Sequence, residues 1–395
     1  MKRILLKILA AVLSLILALE IGYCLVAFSD IPLFKDLRER YIVTAMSTFS
    51  HKWLATDLLP GDVVTPVVNQ MEQEMDNQAQ LQSFWDIVTE TTQPVSSEEA
   101  AFFLRFHELE EGSVRDFVET HPEAIENGWE NFYVNEAGLD DRGTSMKTKQ
   151  GDQVLAVNAE HGLLAIRITG TGYRGVLVIG KDSSRLKLAP SKYLGSYGQH
   201  AGDIAENHGG LVAMTASGFG GGIAEEGTLA EGGNMTGAAM HSGFVFGEHF
   251  PWGYKRMELR EDNRLYITDA HTNFSSDCTD ACEFTPALIV DGEIVVDSST
   301  LYSAMNPRCV LGQGRDEAIM LLTIEGRLID SLGTDAPTCA DILAEYDCYQ
   351  AMNVDGGTSA ILWYENEYIT RCSNTALPYG RYLPNVWVYC EETVD

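Results

Sequence analysis

Apolar residues run almost unbroken from Ile8 to Phe28, interrupted by Ser14, Glu20 and a few small or amphipathic side chains. At about 1.5 Å per residue, a helix over this stretch crosses the roughly 30 Å hydrocarbon core of a bilayer. The next apolar positions, Leu33, Leu37, Tyr41, Met46, Phe49 and Trp53, recur every three to five residues, which predicts a helix from about Asp30 to Thr56. Ser96-Ser-Glu-Glu99 has the form of a capping box and opens a second helix that ends near Gly112, while a third runs from Ser113 to about Thr120 and stops before Pro122.

From about Thr144 the period shortens to that of strands. Gln153 to Val157, Leu163 to Ile168 and Val176 to Ile179 alternate or run apolar between Gly and Asp turns. Gln199 to His208 reads as a helix closed by Gly209-Gly210 and leading into a strand from Leu211 to Thr215. Further strands are expected at Leu265 to Thr268, in a hairpin across Asp291-Gly292, around Val310, and at Ile319 to Ile324 with a turn at Glu325-Gly326 before Arg327 to Ile329. A helix over Thr338 to Tyr346 then precedes strands at 351–354 and 359–364. The pattern predicts an α+β fold, a mixed sheet core with interspersed helices, preceded by a membrane anchor and a helical acidic spacer. The expected divisions are 1–29 for the anchor, 30–143 for the spacer and 144–395 for the strand-rich domain.

Charge narrows the range of partners. The 57 Asp and Glu exceed the 27 Lys and Arg, giving a formal net charge of −30. Such a surface repels phosphate backbones, so nucleic acid is not an expected partner, and any anionic substrate must be met by a local group of Arg or Lys. The excess is concentrated between Met71 and Asp141, where 18 acids face two Arg and no Lys. Lys2, Arg3 and Lys7 precede the apolar stretch and by the positive-inside rule hold the N-terminus in the cytoplasm. The expected location is therefore the cell membrane, single-pass, with the large domain extracellular. A cleaved signal peptide ending at Ala27-Phe28-Ser29 is the competing reading. Outside the apolar stretch there are seven cysteines, so at least one has no intrachain partner. Cys372 and Cys390 are expected to pair, and Cys309 to be a buried thiol. Cys278-x-x-x-Cys282 has no second ligand pair at zinc-site spacing, so no metal is expected, and the sequence identifies no cofactor.

The candidate chemistry lies near the C-terminus. Ala351-Met-Asn-Val-Asp-Gly-Gly-Thr-Ser359 places one carboxylate, Asp355, at the end of an apolar strand and before two glycines that let other backbone come close. Upstream stands Asn306-Pro-Arg-Cys-Val-Leu-Gly-Gln313, and downstream Tyr379-Gly-Arg-Tyr-Leu-Pro-Asn-Val386. Met214-Thr-Ala-Ser-Gly-Phe-Gly-Gly-Gly222 and Gly232-Gly-Asn-Met-Thr-Gly237 precede them. In this order the segments resemble the phosphodiester glycosidase family, whose best-known activity removes N-acetylglucosamine from a phosphodiester-linked sugar. Thr215, Cys309 and Thr358 stand where the family usually has Asn, Thr and Ser.

The resemblance implies hydrolysis of a sugar 1-phosphodiester in cell-envelope or extracellular polysaccharide. Asp355, Arg308 and Arg381 are the implied catalytic residues, the two guanidinium groups suiting a phosphate through bidentate hydrogen bonds. Asn353, Gly356, Gly357, Ser359, Ser217, Gly218 and Thr236 would contact substrate. The expected partners are a carbohydrate or glycosyl-phosphate polymer and, through the N-terminal helix, the membrane. A non-catalytic surface protein that binds envelope polymer is the alternative.

Overall fold

A computed structural model describes residues 2–46, 52–85, 96–140, 142–219, 232–249, 254–297 and 303–393. The chain divides into two compact units, one of Met1–Met75 with Ser298–Ala304 and the other of Asp76–Asp297 with Met305–Asp395.

In the smaller unit the apolar stretch forms one helix, Lys2–Phe28, followed by Pro32–Met46 and Trp53–Thr56. The span Lys7–Phe28 is long and apolar enough to cross a membrane, with a mean hydropathy of 2.4. Its last turn leaves carbonyls without helical partners. Arg38 caps them: its Nη1 donates to Ala27 O at 3.0 Å, Ser29 O at 3.2 Å and Val26 O at 3.3 Å. The helix expected to continue to Thr56 is described only as far as Met46, because residues 47–51 lie outside the described set. The helix Gly61–Ala79 was not expected, since Gly61 and Pro66 argue against one in the sequence; Pro66 lies inside it, where its missing N–H removes one helical hydrogen bond.

The larger unit is α+β, with its strands arranged in three antiparallel sheets. The first runs Tyr133–Asn135, Gln153–Asn158, Leu163–Gly170, Tyr173–Gly180, Ile319–Ile324, Arg308–Gly314, Cys348–Val354, Ala287–Val290 and Glu293–Ile294 from edge to edge. The second runs Leu265–Asp269, Lys255–Arg260, Cys278–Phe284, Ala239–His241 and Phe244–Phe246, and the third Glu367–Tyr368, Leu362–Tyr364, Gly210–Thr215, Asn385–Cys390 and Leu186–Pro190. Alternate residues of all three sheets, among them Leu311, Met352, Val354, Met257, Met214 and Trp387, meet in one buried core. The helix Ala336–Ala344, with Asp335 capping Thr338 N, lies against the Ala287–Val290 and Cys348–Val354 strands.

The two compact units divide after Met75, and residue 143 lies within the larger one. Tyr133–Asn135 pairs with Gln153–Asn158, and Phe102, Phe106, Trp129 and Phe132 pack ring on ring. That aromatic cluster gives the acidic stretch a core of its own, which its charge conceals in the sequence. Arg327 to Ile329 is likewise not a strand but part of an irregular turn. All eight cysteines are free. The expected Cys372–Cys390 bond is not formed; Cys372 Sγ donates to Thr358 O at 3.4 Å and Cys390 Sγ to His208 O at 3.8 Å.

Candidate active site

Asp355 is delivered by a strand end and held by glycines. The register pairs Cys309 with Val354 and Val310 with Asn353, after which the chain leaves the sheet and Asp355 N donates to Ala216 O at 3.0 Å. The Asn306-Pro307-Arg308 segment runs alongside as a strap. Gly357 N donates to Pro307 O at 2.9 Å, and a Cβ on Gly356 would lie 2.6 Å from that same oxygen. Opposite, Gly333 carries φ +104°, and a Cβ there would lie 2.6 Å from the Asn306 carbonyl. The strap thus fits between two glycine-bearing turns, and only backbone without side chains permits that approach.

The Asp355 carboxylate is half-buried. Burial pushes its pKa up to about 6, against the pull of the Ser359 hydroxyl, the Arg381 charge and the Gly356 N–H. Ser359 joins the two charged groups, since Arg381 Nη1 also donates to Ser359 Oγ at 3.2 Å. The Arg381 guanidinium lies 4.1 Å above the Phe219 ring. Tyr254 stands near Asp355, its phenol pushed upward by burial and by the Asp355 charge.

Arg308 takes a different direction. The pleat puts Cys309 in the buried core and Arg308 on the other face, where its Nε donates to Thr334 O at 3.3 Å. The charged or titratable groups it faces are Cys339, Asp335 and Arg327. Asp355 and Arg381 therefore share one site, while Arg308 braces the strap beneath it.

The other candidates are placed as follows. Gly356 and Gly357 form the turn itself. Ser217 is buried and reciprocally bonded to Asn385: Ser217 N donates to Asn385 Oδ1 at 2.9 Å, and Asn385 Nδ2 to Ser217 Oγ at 3.0 Å. Gly218 O accepts from Thr236 N at 2.8 Å, and a Cβ on Gly218 would lie 2.8 Å from Thr236 Oγ1. Thr236 lines a cavity of about 500 Å³ with Gly233, Asn234 and His249, and His249 Nδ1 lies 2.5 Å from Glu283 Oε1. Asn353 Nδ2 donates to Thr285 O at 3.0 Å; its buried Oδ1 has no hydrogen-bond partner among the described residues. Gly220 to Gly222 lie outside the described residues.

All three departures from the family pattern keep a bonding role, Cys309 through a contact of 3.6 Å between its Sγ and Thr323 Oγ1. Thr215 Oγ1 donates to Ser359 O at 2.6 Å, fixing the turn behind Asp355, and Thr358 Oγ1 accepts from Arg327 Nη1 at 3.4 Å. Cys309 is buried, its thiol pushed up to about 12, and is therefore no nucleophile at neutral pH. Sequence reasoning assigned no role to Tyr254, Asn385 or Phe219. The last two stand inside quoted segments, whereas Tyr254 has no sequence signal and is brought in by its strand.

One grouping among the described residues, His107, Glu108 and Asp316, has metal-ligand spacing. A cation already occupies its centre. Lys181 Nζ donates to Glu108 Oε1 at 2.5 Å and to Asp316 Oδ2 at 3.2 Å. Burial alone would raise the Asp316 pKa; His107 and Lys181 together hold it well below the usual carboxylate range.

Residues 220–390 match the model of the phosphodiester glycosidase family. The uncharacterized SPbeta prophage protein YomE of Bacillus subtilis is 23% identical over 182 residues, which is 43% of this chain and 27% of that protein. The chain thus spans about a quarter of the length of that relative. Among solved structures, the catalytic domain of zebrafish N-acetylglucosamine-1-phosphodiester alpha-N-acetylglucosaminidase, auto-inhibited by its pro-peptide, shares 15% identity at a TM-score of 0.47, covering 58% of this chain and 82% of that one. A hypothetical protein from Synechocystis shares 14% identity at 0.38, covering 60% and 63%.

Proposed function

We infer, from the match of residues 220–390 to the phosphodiester glycosidase family, that this chain hydrolyses a sugar 1-phosphodiester of cell-envelope or extracellular polysaccharide. The observation that carries the reading is the Asp355–Ser359–Arg381 arrangement, a carboxylate and a guanidinium bonded to one hydroxyl beside an aromatic face. A carboxyl titrating near 6 is ionised at neutral pH yet more basic than a free one, which suits a general base. Asp355 takes a proton from water as the water oxygen bonds to the anomeric carbon. The bond from that carbon to the bridging oxygen breaks, and the electron pair leaves with the phosphate monoester. Arg381 meets the charge that accumulates on the phosphate. Arg308 acts through the strap, and Ser217, Gly218, Thr236 and Asn353 shape the walls on which sugar hydroxyls rest.

The apolar helix is proposed as a retained anchor that leaves the large unit outside the cell. The test of the reaction is sugar release from a panel of methyl sugar 1-phosphodiesters by the full-length chain in detergent. Asp355→Asn should lower turnover by about 10²–10⁴-fold, the usual contribution of a positioned proton acceptor. A wild type that releases no sugar from any member, yet retains envelope polymer as well as Asp355→Asn does, would establish the binding protein instead.

A further inference from the structure

Basic groups are scarce in this chain, and most described arginines are spent on carboxylates: Arg115 on Glu99 and Glu111, Arg260 on Glu258, Arg264 on Glu317. Arg327 is different. Its Nη2 donates to Asn306 Oδ1 at 2.9 Å and its Nη1 to Thr358 Oγ1 at 3.4 Å, both neutral oxygens. Among the described residues no carboxylate lies within ion-pair distance of it. In a molecule of net charge −30, an exposed guanidinium without an acid is available to an anionic ligand.

Its position agrees with that. Arg327 adopts φ +57°, a left-handed conformation that few residues other than glycine enter freely, so the surrounding structure holds it there. The guanidinium is thereby laid against the Gly356-Gly357 turn, 3.5 and 3.6 Å from where a Gly357 Cβ would stand. Arg327 bonds the hydroxyl of Thr358 and Arg381 that of Ser359, so two guanidinium groups attach to consecutive residues of the turn that carries Asp355. Beyond Arg327 opens a groove of about 500 Å³, with Leu139, Leu328, Leu377 and Pro378 among its walls. The groove's other arginine, Arg371, is neutralised by Glu325 at 2.6 Å and Asp330 at 2.9 Å. Arg327 is thus the uncompensated charge at the mouth of a largely apolar groove.

We propose that Arg327 binds the phosphate of the substrate, and that the adjoining groove receives the alcohol esterified to it, favouring an apolar alkyl chain. This rests on the hydrolysis reading above and adds a leaving-group site to it. The phosphate presents two non-bridging oxygens, which a planar fork meets in bidentate fashion and an ammonium does not.

The test is binding of methyl phosphate and hexyl phosphate to the full-length chain in detergent, measured by calorimetry at low salt. Wild type should bind hexyl phosphate about tenfold or more tighter than methyl phosphate, given several buried methylenes. Arg327→Gln should weaken both by about tenfold to a hundredfold, the loss of a hydrogen bond to a charged group, and Arg327→Lys should recover only part of it. Neutral methyl glycoside binding should be unchanged, a readout that a misfolded turn would move. Undiminished methyl phosphate binding by Arg327→Gln, or no binding by wild type, overturns the phosphate site; equal affinities for the two phosphates overturn the groove assignment. Phosphate binding that depends on Arg327, in a chain that hydrolyses no sugar 1-phosphodiester, overturns the reaction and leaves the site standing. Hydrolysis with an unchanged KM in Arg327→Gln does the reverse.

Discussion

Asp355 stands 3.0 Å from Ala216 O through its amide, half-buried, and titrates about two units above a free aspartate. Because the folded pKa, about 6, exceeds the unfolded value of 3.8, its contribution to stability is fully present below pH 3.8 and is lost as pH rises through 6. Ionisation at neutral pH therefore costs stability. Asp355→Asn removes that cost, and at pH 7.5 the variant should be more stable than wild type by roughly 1 kcal/mol, less than the full shift because the group is partly solvated. Calorimetric Tm measurements check this, and a Tm lowered by the substitution would contradict it. The same titration governs activity: kcat/KM should fall about tenfold per pH unit below 6 and level off above, and a profile flat from pH 4 to 8 would exclude Asp355 as the base. The sequence displayed this carboxylate because glycines punctuate strands visibly. It could not display the altered basicity, which comes from burial by segments distant in the chain and outweighs the opposing pull of Arg381. Nor could it tell Arg308 from Arg381: the pleat turns Arg308 away from the core face, while Arg381 reaches Ser359 from a loop.

The strap at Asn306-Pro307-Arg308 shows how neighbouring strands fix the turn. Gly356 is outside the left-handed region, at φ −135°, and its requirement is steric: a methyl group would meet the Pro307 oxygen at 2.6 Å. Gly356→Ala should cost about 1–3 kcal/mol through overpacking and displace Asp355, lowering both Tm and turnover. Unchanged turnover in that variant would show that the strap does not position the carboxylate. Strands such as Leu163–Gly170 and Ile319–Ile324 were legible because they are apolar runs between turns. The helix Gly61–Ala79 was not, because Pro66 conceals it. The stretch 96–143 read as part of a helical acidic spacer, its charge hiding four large aromatic rings that pack only when helix and 3₁₀ turns bring them together.

The two ends of the molecule are under different constraints. Protease added to intact cells should remove the large unit and leave a short membrane fragment; complete protection would place the domain inside and remove the extracellular substrate from consideration. In the proposed topology a surface of this acidity repels anionic envelope polymers, so Arg327 and Arg381 would have to attract any such substrate locally. Arg38 adds a consequence of another kind. Its guanidinium is bonded to the carbonyls that close the Lys2–Phe28 helix, so the helix carries a fixed cation at its C-terminal end. Sliding the helix inward by one turn would draw that cation into hydrocarbon, at about 2.5–3.5 kcal/mol. In the proposed anchor Arg38 would thus be a depth gauge, setting the height above the bilayer at which the rest of the chain begins.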